Sequence, residues 1–241
     1  MLYNYNKKFS SNRKNLTEYS ANIIADLVTR IMPEKITSVL DVGCGTGTWL
    51  KVFSEKGADN ILGIDGAWTR AEYLEISADN FIEHDLCMEL DLGRKFSLAI
   101  SLEVGEHLPE KNADNLVNIL TNHSDYILFS AAAPYQGGPG HINEQWIGFW
   151  AKKFHSKGFL AYDVVRSEIW DMKEVPFWYK QNIIFFSCDD TFEKMYDSCT
   201  PRALVHPDLY LSKCNVRWAI RVLKRGFLKL MPLSKLYGMF K

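Results

Sequence analysis

The sequence predicts an α/β fold, a doubly wound and mostly parallel sheet of seven strands with helices on both faces. Short apolar runs of strand length alternate with longer segments whose apolar residues recur at helical spacing. Several runs are apolar throughout, which is typical of parallel strands covered on both faces. The chain has 241 residues and is 47% hydrophobic, enough for a sizeable core. In such a fold we expect the ligand at the carboxyl ends of the strands.

The first half of the chain predicts a helix and then a series of strands. Within residues 15–32, Ile24, Leu27 and Ile31 recur on one helical face, and Pro33 follows as an end signal. The next elements are, in order, a strand at 38–43, a helix at 49–57, and strands at 60–65, 80–85 and 96–103.

The second half continues the alternation to about residue 187. Leu116, Ile119 and Leu120 predict a helix within 112–123. The remaining elements are a strand at 126–134, an aromatic-rich helix at 143–158, and strands at 160–166 and 182–187. An irregular loop is expected at 170–179 and a mobile, glycine-rich loop at 136–141, both suited to cover a binding site.

The composition narrows the class of protein. The five cysteines are scattered and form no CxxC pair, so we expect no disulfide framework and a reducing compartment. The first 15 residues contain no apolar core of signal-peptide length. No uncharged apolar stretch reaches 18 residues, so no membrane span is expected. These features predict a cytoplasmic protein.

The loop after the first strand carries three glycines in five residues, Gly43, Gly45 and Gly47. A P-loop would require Lys-Ser/Thr after the last glycine, where this chain has Thr48 and Trp49. A dinucleotide fingerprint would require glycine at position 48. The loop therefore indicates a ligand site lined by backbone that matches neither of these phosphate sites.

Acidic residues lie at the ends of three predicted strands. Asp41 ends the first strand, where a carboxylate would repel a pyrophosphate and favour a ligand with a cationic group. Asp65 ends the second strand and is placed to accept hydrogen bonds from a ribose diol. Asp85 follows the third strand, where it could read an adenine edge together with the backbone amide of Leu86. A ligand with an ammonium group, a ribose and an adenine is S-adenosylmethionine, which we predict as the cofactor.

From about residue 20 to 187, the chain resembles class I S-adenosylmethionine-dependent methyltransferases. VLDVGCGTG is similar to the first motif of that family, and GID, HDL and SLEVGEHL are similar to the next three. The resemblance implies a Rossmann-like sheet whose last strand, NIIFFS, is antiparallel. It also implies the cofactor-binding residues, which are Asp41, Gly43 and Gly45 near the methionine end, Asp65 on the ribose, Gly66, Asp85 and Leu86 at the adenine, and Glu103 in the fourth motif.

Two strand-end segments carry the candidate catalytic residues. LEVGEHL supplies Glu103, Glu106 and His107, and GGPGHINEQW supplies His141. One interpretation is a divalent-cation site of all four residues, since carboxylates and imidazoles suit magnesium, manganese or zinc. Another is metal-free catalysis with His107 or His141 as the general base. A third is that Glu106 and His107 only shape the pocket.

The same segments resemble two narrower groups. They are similar to metal-assisted O-methyltransferases that act on small RNAs or in the ubiquinone pathway. Through LEVGEHLPEKNADNLV and GGPGHINEQW they also resemble small methyltransferases of bacterial surface-polysaccharide (capsule and lipopolysaccharide) clusters. The resulting hypothesis is O-methylation of a sugar or other small-molecule acceptor in surface glycan biosynthesis. The alternatives are a metal-dependent RNA 2′-O-methyltransferase and a non-catalytic S-adenosylmethionine-binding protein.

The end of the chain differs sharply in charge from the rest. Residues 213–241 contain eight basic residues and no acidic one, which leaves residues 1–212 with a net charge of −9. We predict a methyltransferase domain at 1–190 and a basic, amphipathic helical extension at 191–241. Three partners fit this extension: an anionic membrane surface at the inner membrane face, the protein's own acidic domain or a second subunit, and nucleic acid.

Deletion of residues 213–241 tests the membrane interpretation of this extension. We expect the truncated protein to bind cofactor normally and to lose salt-sensitive association with anionic lipid vesicles, because eight positive charges are removed. Vesicle sedimentation at low and high salt measures this association. A full-length chain that ignores vesicles at low salt would rule the interpretation out, and a collapse of thermal stability on truncation would indicate a packed helix instead.

Overall fold

The computed structural model describes residues 7–69 and 71–214. The chain divides into two compact units, Met1–Leu204 and Val205–Lys241. The first unit contains the sheet, and the described part of the second contains one helix, α8 (Pro207–Cys214). The amphipathic face predicted from Val216 onward lies outside the described residues. Within the described ranges, no helix is long and apolar enough to cross a membrane.

All seven predicted strands are present in one sheet, whose strand order is β3-β2-β1-β4-β5-β7-β6. The first five strands of this order are parallel neighbours, and β7 is antiparallel to both β5 and β6. The predicted fold class, with its antiparallel last strand, is therefore confirmed. The strands are β1 (Ser38–Val42), β2 (Asn60–Asp65), β3 (Phe81–Glu83), β4 (Leu98–Leu102), β5 (Tyr126–Ser130), β6 (Leu160–Tyr162) and β7 (Ile184–Ser187).

The four helices that the sequence predicts before residue 188 are also present, and the described part of the first unit contains three short ones that the sequence does not predict. The predicted helices are α1 (Lys7–Ile31), α2 (Thr48–Glu55), α3 (Ala113–His123) and α4 (Ile147–His155), and the additional ones are α5 (Arg166–Ile169), α6 (Phe177–Asn182) and α7 (Asp190–Met195). The irregular loop expected at 170–179 is wrong at its end, because α6 begins directly after Pro176 and buries Tyr179. Proline is well suited to a helix start, since the first N–H groups of a helix have no intrahelical partner.

Alternate residues of the central strands pack into two separate apolar clusters. Val39 and Ile100 belong to the cluster under α1 and α2, whereas Leu40 and Ala99 belong to the cluster under α3 and α4. This alternation follows from the two-residue period of a strand, and it explains why the strand sequences are apolar throughout. The carboxyl ends of the strands are consequently fixed by packing on both faces of the sheet.

The turn after β4 rests on a buried tryptophan of α4. A single 3-10 turn, Gly105–His107, follows the strand, and Trp150 is fully buried beneath it. A Cβ at Gly105 would lie 2.5 Å from Cζ2 of Trp150, so only glycine fits. The ring of Trp150 also packs on Phe129 of β5, with centroids 5.0 Å apart. Glu106 and His107 are therefore positioned by a close contact between backbone and ring.

Substitution of Gly105 tests this contact. Gly105→Ala should lower the free energy of unfolding by about 1–3 kcal/mol, the usual cost of overpacking. Adding Trp150→Phe should recover part of the loss, because the smaller ring vacates the space that the methyl group needs. Gly148→Ala is the matched control, since a Cβ there meets nothing within 4 Å and alanine is favoured within a helix. Urea unfolding measures the wild type and the three variants, and equal stability of Gly105→Ala and Gly148→Ala would contradict the account.

Candidate active site

The glycine loop between β1 and α2 is folded onto the end of β2. The backbone N–H groups of Gly43 and Cys44 donate to the carbonyl oxygen of Ile64 at 2.8 and 3.1 Å. Gly43, Gly45 and Gly47 all have positive φ angles, of 87°, 54° and 82°. At Gly43 a Cβ would also lie 2.4 Å from Cγ2 of Val104, so this position requires glycine for both conformation and space.

Two carboxylates are buried side by side at the ends of β1 and β2. Asp41 is 3% exposed, and its Oδ2 accepts no hydrogen bond from the described residues. Burial raises the pKa of Asp41 well above its usual range, and the nearby Asp65 raises it further. The pKa of Asp65 is also raised by burial, although the backbone N–H groups of Gly45 and Gly66 act against this increase. A site with this electrostatic character favours a cationic ligand group.

The carboxylate of Asp65 is oriented by the backbone on both sides. Gly45 N–H donates to Oδ2 at 2.6 Å, and Gly66 N–H donates to Oδ1 at 2.7 Å. Asp85 and Leu86, predicted for the adenine end, directly follow β3, and the chain before them is joined to β2 because His84 N–H donates to the carbonyl oxygen of Asp65 at 2.8 Å. The ends of β1, β2 and β3 therefore form one continuous edge, along which an elongated ligand can extend.

Asp85 and Leu86, which follow β3 at the predicted adenine end of this sheet edge, occupy different environments. Leu86 is buried and Asp85 is exposed. The Oδ1 atom of Asp85 accepts a hydrogen bond from the N–H of Cys87 at 2.9 Å, which turns the chain after β3. Leu86 is thus part of the apolar core, whereas the Asp85 carboxylate lies at the surface directly after β3.

A second polar cluster lies after β4 and β5. One ligand atom each from Glu106, His107 and His141 lies within 4.8 Å of the other two. His141 Nε2 is 4.0 Å from Glu106 Oε1, and the two imidazole rings are perpendicular, with centroids 5.0 Å apart. Glu106 is fully buried; burial, and then the nearby Glu103, raise its pKa well above the usual range. This composition suits either a divalent cation or general acid–base chemistry.

Glu103 is not part of this cluster. Its Oε2 accepts a hydrogen bond from Gln136 Nε2 at 2.8 Å, and its Oε1 accepts one from Asn182 Nδ2 at 3.0 Å. Its backbone lies in the left-handed region, with a φ of 58°. The prediction of Glu103 as a fourth metal ligand is therefore not supported, because both of its oxygens are engaged by amides. The metal candidates reduce to Glu106, His107 and His141.

Sequence reasoning missed Glu144, the residue that organises the glycine-rich loop. Its Oε1 is 2.9 Å from His141 Nδ1 and accepts the N–H of Gly137 at 2.5 Å, while its Oε2 accepts the N–H of Tyr135 at 2.8 Å. The loop expected to be mobile at 136–141 is thus tied to one carboxylate. An ionised carboxylate only accepts hydrogen bonds, so we assign the ring proton to Nδ1 of His141, which leaves Nε2, 4.0 Å from Glu106 Oε1, as the basic nitrogen. The sequence did contain a signal for this contact, since Glu144 lies only three residues after His141.

A sheet of this order, with a glycine loop after β1 and acids at the strand ends, defines a class I S-adenosylmethionine-dependent methyltransferase. The chain belongs to a methyltransferase-domain family, whose model matches residues 16–163. No curated protein sequence matches the chain significantly. The residues present fit the cofactor, because the free oxygen of Asp41 and the paired carboxylate of Asp65 suit its ammonium group and ribose.

Several solved methyltransferases are similar in structure. CalS10 of Micromonospora echinaspora, an amino pentose methyltransferase with bound S-adenosylmethionine, has a TM-score of 0.54 at 12% identity, with 78% of this chain and 99% of CalS10 covered. Magnesium protoporphyrin IX methyltransferase (ChlM) of Synechocystis PCC 6803, with bound S-adenosylhomocysteine, has a TM-score of 0.52 at 19% identity, covering 78% and 90%. DesVI of Streptomyces venezuelae is 25% identical with a TM-score of 0.45; the alignment covers 58% of this chain and 64% of DesVI. The cofactor is S-adenosylmethionine, and the enzyme is a methyltransferase.

Asp41→Asn should separate stability from cofactor binding. We expect the cofactor-free variant to be more stable at neutral pH, because a charged carboxylate with an unsatisfied oxygen is removed from the interior. The raised pKa means that ionised Asp41 costs stability above its folded pKa. The gain from asparagine should therefore be full above that pKa and vanish below about pH 4, the ordinary value for aspartate.

The same variant should bind S-adenosylmethionine more weakly by about 1–3 kcal/mol, the scale of a lost charged hydrogen bond. Thermal unfolding across pH and isothermal titration calorimetry measure the two effects. Unchanged affinity together with raised stability would show that Asp41 does not contact the ammonium group.

Proposed function

We propose that this enzyme transfers the methyl group of S-adenosylmethionine to a hydroxyl oxygen of a sugar or other small-molecule acceptor. The observation that carries the proposal is the cluster of Glu106, His107 and His141 at the ends of β4 and β5. Because β4 is the direct neighbour of β1, the cluster lies next along the sheet edge from Asp41. A hydroxyl group is a poor nucleophile until its proton is removed, and imidazole and carboxylate groups supply that chemistry.

His141 is the strongest candidate for the proton acceptor. The Glu144 carboxylate holds its Nδ1–H, so Nε2 is the basic atom that points into the site. As Nε2 receives the proton from the acceptor hydroxyl, the positive charge on the ring is stabilised by the Glu144 carboxylate, whose Oε1 lies 2.9 Å from Nδ1. A well-placed general base typically accelerates the reaction about 10²–10⁴-fold.

The same three side chains also suit a divalent cation. Glu106, His107 and His141 would hold it, and two imidazoles with one carboxylate favour manganese or zinc over magnesium. A bound cation would lower the pKa of the acceptor hydroxyl and fix its oxygen. In either chemistry Glu144 holds Nδ1 of His141 and so fixes the orientation of the ring. With a cation the oriented ring is a metal ligand, and without one it is the general base.

A neutral or small acceptor is favoured over RNA by charge and by the exposed aromatic residues. Residues 1–212 carry a net charge of −9, which opposes binding of a polyanion. Tyr135 and Trp146 are 86% and 42% exposed on either side of the loop that carries His141. Flat aromatic rings beside a polar cluster suit stacking on a sugar ring.

The glycan context is the narrower part of the proposal. It is supported by the resemblance of LEVGEHLPEKNADNLV and GGPGHINEQW to methyltransferases of surface-polysaccharide clusters. CalS10, which is similar in fold, also acts on a sugar. Association of the basic residues 213–241 with an anionic membrane would bring the enzyme to the surface on which such glycans are assembled.

Methyl transfer from labelled cofactor tests the proposal. Nucleotide sugars, extracted capsule material and RNA are offered separately, with and without a chelator. We expect transfer to a sugar-containing acceptor, with a loss of about 10²–10⁴-fold in His141→Ala and Glu106→Ala at unchanged cofactor affinity. His155→Ala is the control, since that histidine is exposed on α4.

The chelator distinguishes the two chemistries. Loss of activity in chelator and recovery with manganese, zinc or magnesium indicates the cation, and full activity in chelator indicates the base. Transfer to RNA alone, or full activity in both variants, would contradict the proposed function.

A further inference from the structure

The connection between β2 and β3 returns to the glycine loop at residues 75 and 76. The N–H of Glu75 donates to the carbonyl oxygen of Thr46 at 2.8 Å. The side chain of Ile76 fills the space beside Gly47, where a Cβ would lie 2.9 Å from Cγ1 of Ile76. The second half of the glycine loop is therefore packed against this connection, whereas its first half is bonded to the backbone of β2.

The carboxylate of Glu75 adds a side-chain contact to this packing. Its Oε1 accepts a hydrogen bond from the Thr48 hydroxyl at 2.8 Å and a longer one from the Thr46 hydroxyl at 3.2 Å. Thr48 is buried, and only 9% of the Glu75 side chain is exposed. One carboxylate oxygen thus holds the residues on both sides of Gly47.

This carboxylate also lies at the start of α2, which has no capping side chain of its own. The N-cap residue is Gly47, and the first turn of the helix contains no acidic residue. A negative charge near a helix N-terminus is favourable, because the N–H groups there carry partial positive charge. Lys51, one turn further along α2, places its Nζ 4.0 Å from Glu75 Oε2. The charge of Glu75 is therefore balanced by the helix that follows the glycine loop.

The residues that Glu75 holds adjoin the part of the loop that faces the cofactor site. Gly45 N–H donates to Asp65 Oδ2 at 2.6 Å, and Thr46 is the next residue. A Cβ at Gly45 would meet none of the described residues within 4 Å, so a ligand can approach the backbone there. Three of the five residues 43–47 are glycines, which have many accessible backbone conformations. Contacts from outside the loop therefore help to keep the Gly45 N–H directed at Asp65.

We propose that Glu75 is a positioning residue for S-adenosylmethionine. It holds the Thr46 and Thr48 hydroxyls and so keeps the glycine loop in its binding conformation before the cofactor arrives. Without this carboxylate the loop has to become ordered during binding, and the loss of conformational freedom weakens the affinity. Glu75 acts through the loop, so the inference concerns the cofactor and is independent of the acceptor.

Calorimetric titration with S-adenosylhomocysteine tests the inference on the full-length chain. Glu75→Ala and Thr48→Val should each raise Kd about 3- to 10-fold, the scale of ordering a side chain or loop segment on binding. The double variant should bind no more weakly than Glu75→Ala, because both changes remove the same contact. Glu75→Gln keeps the Oε1 acceptor and Thr48→Ser keeps the hydroxyl, so both should bind nearly as tightly as the wild type.

Asp79→Ala is the matched control, because it removes an exposed carboxylate from the same connection. Thermal unfolding establishes that each variant is folded, and Thr48→Val carries the test if Glu75→Ala does not fold. The inference is overturned if the folded Glu75→Ala and Thr48→Val variants bind with the wild-type Kd. It is also overturned if Glu75→Gln binds as weakly as Glu75→Ala.

Hydrogen exchange provides a second readout, which a general loss of stability does not reproduce. In the cofactor-free protein, Glu75→Ala should speed the exchange of N–H groups within residues 43–49 more than of those in α3. Saturation with S-adenosylhomocysteine should remove this difference from the wild type, because the bound cofactor orders the loop. Exchange that increases equally in the loop and in α3 would contradict the inference, since Glu75 would then stabilise the fold as a whole.

Discussion

The structure depends on the burial of two like charges, Asp41 and Asp65, at the ends of neighbouring strands. Their pKa values are raised because the surrounding packing excludes water from both carboxyl groups. The glycine loop reduces the free-energy cost of burying these carboxylates, because the N–H of Gly45 donates to Asp65. This contact requires backbone conformations that favour glycine. The oxygen of Asp41 that lacks a donor is the part of the cost that a cationic ligand can offset. The conformation of the loop and the cofactor preference therefore both relate to the burial of these two carboxylates.

The same principle recurs after β4, the strand that neighbours β1, with a different solution. After β4, Glu103 is half-buried and Glu106 is fully buried, and the nearby Glu103 raises the pKa of Glu106 beyond the effect of burial. Amide groups of Gln136 and Asn182 satisfy Glu103, whereas Glu106 faces the imidazole of His141. One carboxylate is thereby fixed as part of the structure, and the other remains available for chemistry. The division of roles explains why only three of the four predicted residues converge.

The fold and the cofactor edge could be predicted from sequence because both depend on local patterns. Strand periodicity places Asp41 and Asp65 at strand ends, and parallel pairing then brings those ends together. The contacts of Glu144 and Gln136 could not be predicted, because they depend on how one loop folds over the turn that carries Glu106. The helix after Pro176 was missed for a similar reason. It is short, and burial of Tyr179 rather than periodicity supports it.

The central claim is that the buried Asp41–Asp65 pair selects the cationic cofactor. Proton release on binding tests it most directly, measured by titrating S-adenosylmethionine near pH 6 in buffers of different ionisation enthalpy. An ammonium group beside Asp41 would favour the ionised carboxylate and lower its pKa, so the wild type should release protons as it binds. Asp41→Asn should release fewer. Equal proton release by the wild type and the variant would contradict the account.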